Sequence, residues 1–184
     1  MTHIPDNPKT DITPTEFEKL IHDYFSNLGK NLSAFKSTHN LIIKKPDGDY
    51  QIDVYAEFEV FGSVIKVLVE CKKYKNSVKR ETVQLLFDKL RATGTQKGLI
   101  FSTSGFQSGA IKYAQEHGIA LIKVFEGRLN YLTRSKNSSL ATPPHWVNLP
   151  AYQGEFTFDG YINYLQVGHL DSLENFIFGD KASG

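Results

Sequence analysis

Two adjoining stretches decide the fold: residues 51–61, QIDVYAEFEVF, and residues 64–72, VIKVLVECK. In the first stretch apolar and polar side chains alternate, which is the two-residue period of a β-strand with one buried face. The second stretch is rich in β-branched residues, which favour strands. Gly62 and Ser63 lie between them. We predict that these two residues form the turn of a β-hairpin.

A turn at Gly62-Ser63 sets the register of the hairpin, with the numbers of paired residues summing to 125. Asp53 then lies directly opposite Lys72, with β-carbons about 5 Å apart, and Glu70 is diagonal to Asp53 at about 7–8 Å. All three side chains project from the same face. A slip of one residue would turn them to opposite faces, so the register matters.

The residue types on this face suit a hard metal ion. Two carboxylates, Asp53 and Glu70, match the oxygen ligands that Mg²⁺ or Mn²⁺ prefers, and the backbone carbonyl of Cys71 is a candidate further ligand. Lys72 is placed to orient or deprotonate a water, or to stabilise a charged transition state. The alternative is an ordinary ion pair between Asp53 and Lys72 on a solvent-facing strand. Against it, Glu70 follows an apolar run where an unpaired charge is costly.

The rest of the chain continues as helices and strands. The three- and four-residue spacing of apolar residues predicts helices at 13–28, 77–93 (with Ser77 as the cap) and 107–117. Further strands are expected at 40–45, 99–102, 119–125 and 129–132. The order αβββαβαβ combines antiparallel neighbours with later crossovers. It predicts an α/β fold with a mixed central sheet flanked by helices.

Composition suggests how these 184 residues are organised. Residues 1–13 are polar and are expected to be a flexible leader, and 14–134 a main domain. Residues 135–144 have the composition of a linker. Residues 145–184 form an aromatic-rich extension with a hairpin around Asp159-Gly160 and a short helix from Asp171. The extension is too apolar to remain free, so we expect it to pack on the main domain or on a second subunit.

Charge and cysteine content narrow the setting. The single cysteine excludes an intrachain disulfide and favours a reducing, cytoplasmic location, and no apolar run is long enough to predict a membrane span. The scattered histidines argue against structural zinc. The net charge of +1 does not indicate a nucleic-acid partner, but two local clusters do. Their members are Lys73, Lys75, Lys79 and Arg80, and Lys44 and Lys45. The alternative is that these cations are a solvated strand end and helix start.

Four elements in the same order give the chain a family resemblance. Residues 15–124 resemble the catalytic domain of Mrr-type restriction endonucleases, within the superfamily that carries an Asp…(Asp/Glu)-x-Lys signature. The matching elements are the helix with Phe17-Glu18, the strand QIDV at 51–54, VECKKY at 69–74, and LIFSTSGF at 99–106 followed by Ala110. The chain departs from the family where Asp49-Tyr50-Gln51 replaces a glycine-rich approach, and where Glu70 stands in place of a common glutamine. Glu70 restores the acidic form of the wider superfamily.

The resemblance implies a metal-dependent endonuclease that hydrolyses DNA, with Asp53, Glu70 and Lys72 in the active site. It also implies that Glu18 assists from the first helix, with Glu16 as the nearby alternative. Ser102 and Ser104 are candidates for phosphate contacts, but the ordinary polarity of a loop explains them equally well. A role in restriction or defence against foreign DNA is expected, through a homodimer or transient pairing on DNA because two strands need two active sites. The alternatives are a branched-DNA resolvase, a repair nuclease, or a DNA-binding module that keeps the fold without activity.

Overall fold

A computed structural model describes residues 12–29, 32, 34–126, 152–158 and 161–165, together with 173, 176 and 177. The chain divides into two compact units, Ile12–Ile122 and a second unit made of Met1–Asp11 and Lys123–Gly184. The elements are, in chain order, α1 (Pro14–Leu28), β1 (Lys36–Lys45), β2 (Gly48–Val60), β3 (Ser63–Lys72), α2 (Arg80–Thr93), β4 (Lys97–Ser102), α3 (Ser108–Glu116), β5 (Ile119–Glu126), β6 (Tyr152–Phe158) and β7 (Tyr161–Leu165).

The sheet of the first unit is mixed, as predicted. Strands β1 to β5 are neighbours in that order. The pairs β1–β2 and β2–β3 are antiparallel, whereas β3 and β4 are parallel and joined through α2. The order αβββαβαβ and the α/β class are therefore confirmed.

Helices cover both faces of this sheet. Phe101 on β4 makes edge-to-face ring contacts with Tyr24 and Phe25 of α1. The preceding residue, Ile100, packs in a core cluster with Leu86 of α2. Because neighbouring residues on a strand point to opposite faces, α1 lies on one side of the sheet and α2 on the other.

The β2–β3 hairpin forms, but its turn lies one residue earlier than predicted. Val60 pairs with Ser63, so the turn residues are Phe61 and Gly62, with φ angles of 49° and 75°. Positive φ at both central positions is the pattern of a type I′ turn. Glycine accepts a positive φ most readily. In the structure Phe61, fully exposed, takes that position.

The predicted register is therefore wrong by two. Tyr55 pairs with Leu68, so paired numbers sum to 123. A two-residue shift leaves each β3 side chain on its predicted face, but it changes the neighbours across the hairpin. Continued in this register, Glu70 rather than Lys72 comes level with Asp53.

The start of one helix and the start of one strand also differ from expectation. Ser77 does not cap α2, because Val78 forms a parallel bridge with Phe106 and keeps this segment extended. The helix begins at Arg80 with Lys79 as its N-cap. At α1, Thr13 is the N-cap and exchanges hydrogen bonds with Glu16 in a capping box. Strand β1 starts at Lys36, four residues before the predicted start.

The second unit contains the predicted aromatic hairpin. Strands β6 and β7 are antiparallel, and Phe158 pairs with Tyr161 across the predicted turn position. Leu173, Phe176 and Ile177 are helical, and Phe176 contacts Phe156 edge to face. Residues 1–11 and 127–151 are not among the described residues. The predicted leader (1–13) falls mostly in the first of these ranges, and the predicted strand (129–132) and linker (135–144) fall in the second. These segments fall outside the described residues, so those domain boundaries stay predictions.

Packing of α2 on the sheet depends on Gly98. A β-carbon at this position of β4 would lie 2.7 Å from Leu90 Cδ1 and 3.3 Å from Leu86 Cδ2. We expect Gly98→Val to lower the free energy of unfolding by about 1–3 kcal/mol because both leucines are buried in the core. Denaturant unfolding of the full chain measures the change.

Gly109 in α3 is the matched control. A β-carbon there would make only ordinary contact, 3.9 Å from Arg80 Cβ. Gly109→Ala should therefore raise stability by up to about 1 kcal/mol, the difference in helix propensity. Equal losses for the two variants would contradict the close approach of α2 to β4.

Candidate active site

The site lies where β2 and β3 stop pairing. The last pair is Val54 with Val69. One residue beyond it, Asp53 Oδ2 accepts a hydrogen bond of 2.7 Å from the backbone N–H of Cys71. The aspartate side chain thus satisfies a donor that a strand partner would otherwise satisfy, and this bond orients its carboxylate.

The pairing between β1 and β2 is also irregular next to Asp53. The pairs run from His39–Val54 to Leu41–Ile52, and Asn40 between them has a positive φ of 54°. Ile52 belongs to the core cluster beneath α2 and α3, and the ring of Tyr55, three residues on, packs against the same cluster. Residues three apart on a regular strand face opposite sides, so the alternation breaks between Ile52 and Tyr55. Asp53 lies within this break.

Lys72 joins the two predicted carboxylates. Its Nζ donates to Glu70 Oε2 at 2.6 Å and lies 3.6 Å from Asp53 Oδ2. The exposed fractions of the side chains are 15% for Asp53, 6% for Glu70 and 19% for Lys72. A surface ion pair is much more exposed than this, so the structure brings the three predicted residues into one largely buried cluster.

A second lysine, which sequence reasoning missed, completes the cluster. Lys89 of α2 donates from Nζ to Glu70 Oε1 at 2.5 Å and to the backbone carbonyl of Gln51 at 2.7 Å. The sequence carried a signal for it. Lys89 lies on the same face of an amphipathic helix as Leu86 and Thr93, and both of these residues are buried. A lysine at such a position needs an acidic partner.

Burial and charge shift the pKa values of this cluster. Burial raises the pKa of the Asp53 carboxyl above its usual value, and the neighbouring Glu70 carboxylate raises it further; the Cys71 N–H and Lys72 oppose this only in part. Burial lowers the pKa of Lys72, but the carboxylates of Glu70 and Asp53 raise it by more, so it ends above its usual value. Lys72 is therefore an ammonium group at neutral pH.

The surroundings of the Cys71 thiol do not activate it. Burial raises its pKa well above the usual value, with the Asp53 charge as the next cause. A thiol that stays protonated is a poor nucleophile and a poor metal ligand. Cys71 contributes through its backbone, whose N–H holds Asp53.

The structure separates the two glutamates of α1. Glu16 accepts from the Thr13 backbone N–H at 2.7 Å and is exposed, so its carboxylate is engaged at the helix cap. Glu18 faces the sheet and forms a 3.0 Å hydrogen bond with His39 Nε2 of β1. The Glu18 charge also acts on Asp53 and raises its pKa. His39 was not predicted, since no spacing rule links a strand histidine to a helix glutamate.

The donors present fit a divalent cation. Asp53 and Glu70 lie close enough to share one ammonium group and to raise the pKa of Asp53, so a cation between them relieves their repulsion. Within the described ranges, no group of three or more His, Cys, Asp or Glu side chains is arranged to hold a metal. Magnesium does not require one, because it keeps several waters and binds through one or two carboxylates.

The predicted basic segment follows β3 and is tied to the loop after β4. Ser104 Oγ donates to the Asn76 carbonyl at 2.8 Å, and Thr103 Oγ1 donates to the Tyr74 carbonyl at 3.2 Å. Ser104 is 2% exposed. Its hydroxyl is therefore engaged within the protein, and a phosphate contact would require breaking that bond. This bond fixes the backbone of the basic segment.

The cations of this segment differ in their surroundings. Lys75 and Lys79 are exposed, and Lys73 acts electrostatically on Glu16 of α1. The guanidinium of Arg80 lies 5.1 Å from the centre of the Tyr113 ring, a cation–π contact. The second predicted cluster, Lys44 and Lys45, ends β1, where it pairs with the start of β2.

Comparison with known proteins identifies relatives of this chain. A family model described as a restriction endonuclease, that of the Mrr catalytic domain, matches residues 10–126. The type IV methyl-directed restriction enzyme EcoKMrr of Escherichia coli (strain K12) is 29% identical over 117 residues, 60% of this chain and 35% of the relative. The chain thus spans about a third of the length of that curated relative.

Matches among solved structures cover part of the chain. A protein of unknown function, AF1548, has a TM-score of 0.46 at 23% identity and covers 57% of this chain and 56% of its own. The restriction endonuclease MspJI, solved with a 27-mer oligonucleotide, has a TM-score of 0.44 at 16% identity, with 66% of this chain and 31% of MspJI covered. The DNA modification-dependent restriction endonuclease AspBHI has a TM-score of 0.43 at 19% identity, and the match covers 59% of this chain and 28% of AspBHI.

The family model covers well over half of the chain and includes α1, all three residues of the predicted signature, and β5. It agrees with the resemblance seen in residues 15–124. This chain belongs to the restriction endonuclease family defined by the Mrr catalytic domain.

Proposed function

We propose that this protein is an endonuclease that hydrolyses DNA phosphodiester bonds with Mg²⁺ or Mn²⁺, in restriction or defence against foreign DNA. One observation carries the proposal: Lys72 joins the carboxylates of Asp53 and Glu70 at the point where β2 and β3 separate. Carboxylates grouped in this way, with a fixed ammonium beside them, suit phosphodiester cleavage better than a purely structural role.

Asp53 and Glu70 would hold the cation, with the Cys71 carbonyl as a candidate further ligand. A bound divalent cation supplies neutralisation of phosphate charge and a water of lowered pKa. Lys72, held as an ammonium by the two carboxylates, donates to the attacking water or to phosphate oxygens and stabilises the charge that develops there. Its buried stem and fixed partners mean that it is already oriented before DNA binds.

DNA would approach over the basic segment. Lys73, Lys75, Lys79 and Arg80 follow directly from the strand that carries Glu70 and Lys72, so phosphates bound there lie next to the site. We also propose that Lys44 and Lys45, at the end of β1, bind DNA phosphates. Cleavage of both strands needs a second active site, hence a homodimer or transient pairing on DNA.

In the described part of the chain, no helix is long and apolar enough to cross a membrane. A cytoplasmic location remains part of the proposal.

Plasmid nicking tests the assignment of the site. In Mg²⁺, the wild type should nick supercoiled DNA, whereas Asp53→Ala and Lys72→Ala should each lose about 100-fold or more in rate. Glu59→Gln on β2 and Lys66→Met on β3 are matched controls near the other end of the hairpin and should retain full activity. Equal activity of all five proteins would refute the site.

The substrate can be resolved in the same assay. Linear, methylated and four-way-junction DNA are compared at equal concentration. Preference for the junction would favour the resolvase alternative, and binding without any cleavage would favour the non-enzymatic one.

Glu18 should matter, and Glu16 should not. Because Glu18 is held by His39 and acts on Asp53, Glu18→Gln should lower the nicking rate by about 10–100-fold, as expected for a residue that supports a metal ligand. Glu16→Gln weakens only the capping box, so it should lower stability slightly and leave the nicking rate unchanged. The reverse ranking would assign the role to Glu16.

The raised pKa of Asp53 predicts a pH-dependent penalty without metal. Ionised Asp53 is less favourable in the folded than in the unfolded chain, so its stabilising contribution is present at low pH and is lost as pH rises through its raised pKa. In EDTA at pH 7, Asp53→Asn should therefore melt at a higher temperature than wild type.

The difference in melting temperature between the variant and wild type should shrink as pH falls towards 3.8, the ordinary pKa of an aspartate side chain. When Mg²⁺ is added, wild type should again melt at the higher temperature, because the bound ion stabilises the folded chain. Thermal melts followed by circular dichroism measure both effects. A variant less stable than wild type at pH 7 in EDTA would show that Lys72 and the Cys71 N–H outweigh the burial of the charge.

A further inference from the structure

Lys89 occupies one side of Glu70. Its Nζ lies 2.5 Å from Oε1, while the other oxygen, Oε2, accepts from Lys72 at 2.6 Å. Both lysines and the glutamate are more than four-fifths buried. Each oxygen of this carboxylate therefore has its own ammonium group, which is more cationic contact than a simple ion pair provides.

The second bond of Lys89 places it across the gap between the strands. Besides Glu70 of β3, it donates to the Gln51 carbonyl of β2, two residues before Asp53. Pairing between β2 and β3 has ended at Val54. Lys89 thus holds together the two strands that carry the acidic residues, at the point where backbone hydrogen bonds no longer do.

The local charge is close to balanced before any metal enters. Asp53, Glu70 and Glu18 are three carboxylates, and Lys72 and Lys89 are two ammonium groups, which leaves one negative charge. One divalent cation reverses that sign to a single positive charge, which suits a phosphate. A second divalent cation would leave three positive charges in a largely buried site, an arrangement that is costly without further ligands.

We propose that Lys89 is a positioning residue that takes the place of a second metal ion. Its ammonium holds Glu70 Oε1 and the Gln51 carbonyl, and so limits this site to one divalent cation. In sites with two metals, the ions lie about 3.5–4 Å apart. Here Glu70 Oε1, the carboxylate oxygen that Lys72 does not hold, is bound to the Lys89 ammonium, whose charge would repel a second cation there. The inference rests on the proposed metal-dependent function.

Mn²⁺ binding to the full chain without DNA tests this inference. Free Mn²⁺ is measured by electron paramagnetic resonance for wild type, Lys89→Met and Lys89→Arg. Wild type should bind one Mn²⁺. Lys89→Met removes a neighbouring positive charge and should bind the first ion about tenfold more tightly and then a second one. Lys89→Arg keeps the charge and should bind one ion.

Arg91→Met is the matched control, since Arg91 is an exposed cation of the same helix. It should bind Mn²⁺ as wild type does. Should Lys89→Met fail to fold, Lys89→Gln retains a donor for Glu70 or Gln51 without the charge and should show the same gain. Unchanged affinity and a single ion in the folded neutral variants would overturn the proposal.

Asp53→Asn distinguishes this failure from failure of the proposed function. If wild type binds one Mn²⁺ that Asp53→Asn loses, while Lys89→Met behaves as wild type, only the role of Lys89 is refuted. If wild type binds no Mn²⁺ at all, both proposals fall. A merely structural Lys89 would lower the melting temperature of its variants and leave the number of bound ions unchanged.

Discussion

The hydrogen bond from the Cys71 amide to the Asp53 carboxylate is the interaction on which the site depends. A buried strand needs a partner for each N–H, and β2 stops providing one after Val54. The carboxylate fills that role and is thereby fixed next to Glu70. The price is an acidic group held in a poorly solvated position, which raises its pKa. The same bond that orders the site therefore leaves it in need of a cation.

Lys72 and Lys89 supply positive charge to the site from two different elements. Lys72 comes from β3 itself, two residues after Glu70, and its position follows directly from the strand period. Lys89 comes from α2, and it reaches Glu70 only because that helix packs closely on β4 at Gly98. The geometry of Glu70 thus depends on helix packing as well as on the hairpin.

The loops at the end of the parallel strands complete the arrangement. Hydrogen bonds from Thr103 and Ser104 fix the backbone of the segment after β3, and the bridge between Val78 and Phe106 holds it extended. The polar run after β4 therefore has a structural explanation: it anchors the segment that carries Lys73, Lys75 and Lys79. The basic residues are presented from a fixed backbone beside the acidic cluster.

Local patterns in the sequence were enough to predict the element order, the mixed sheet and the grouping of Asp53, Glu70 and Lys72. Strand alternation and helix spacing are properties of neighbouring residues, and faces survive a register shift of two. The exact register was not predictable, because Phe61 takes a backbone conformation that its type does not favour. The positions of Lys89 and His39, and the contact of Glu18 with His39, depend on how α1 and α2 pack against the sheet. Contacts between residues far apart in the chain are decided by that packing, so only the tertiary structure revealed them.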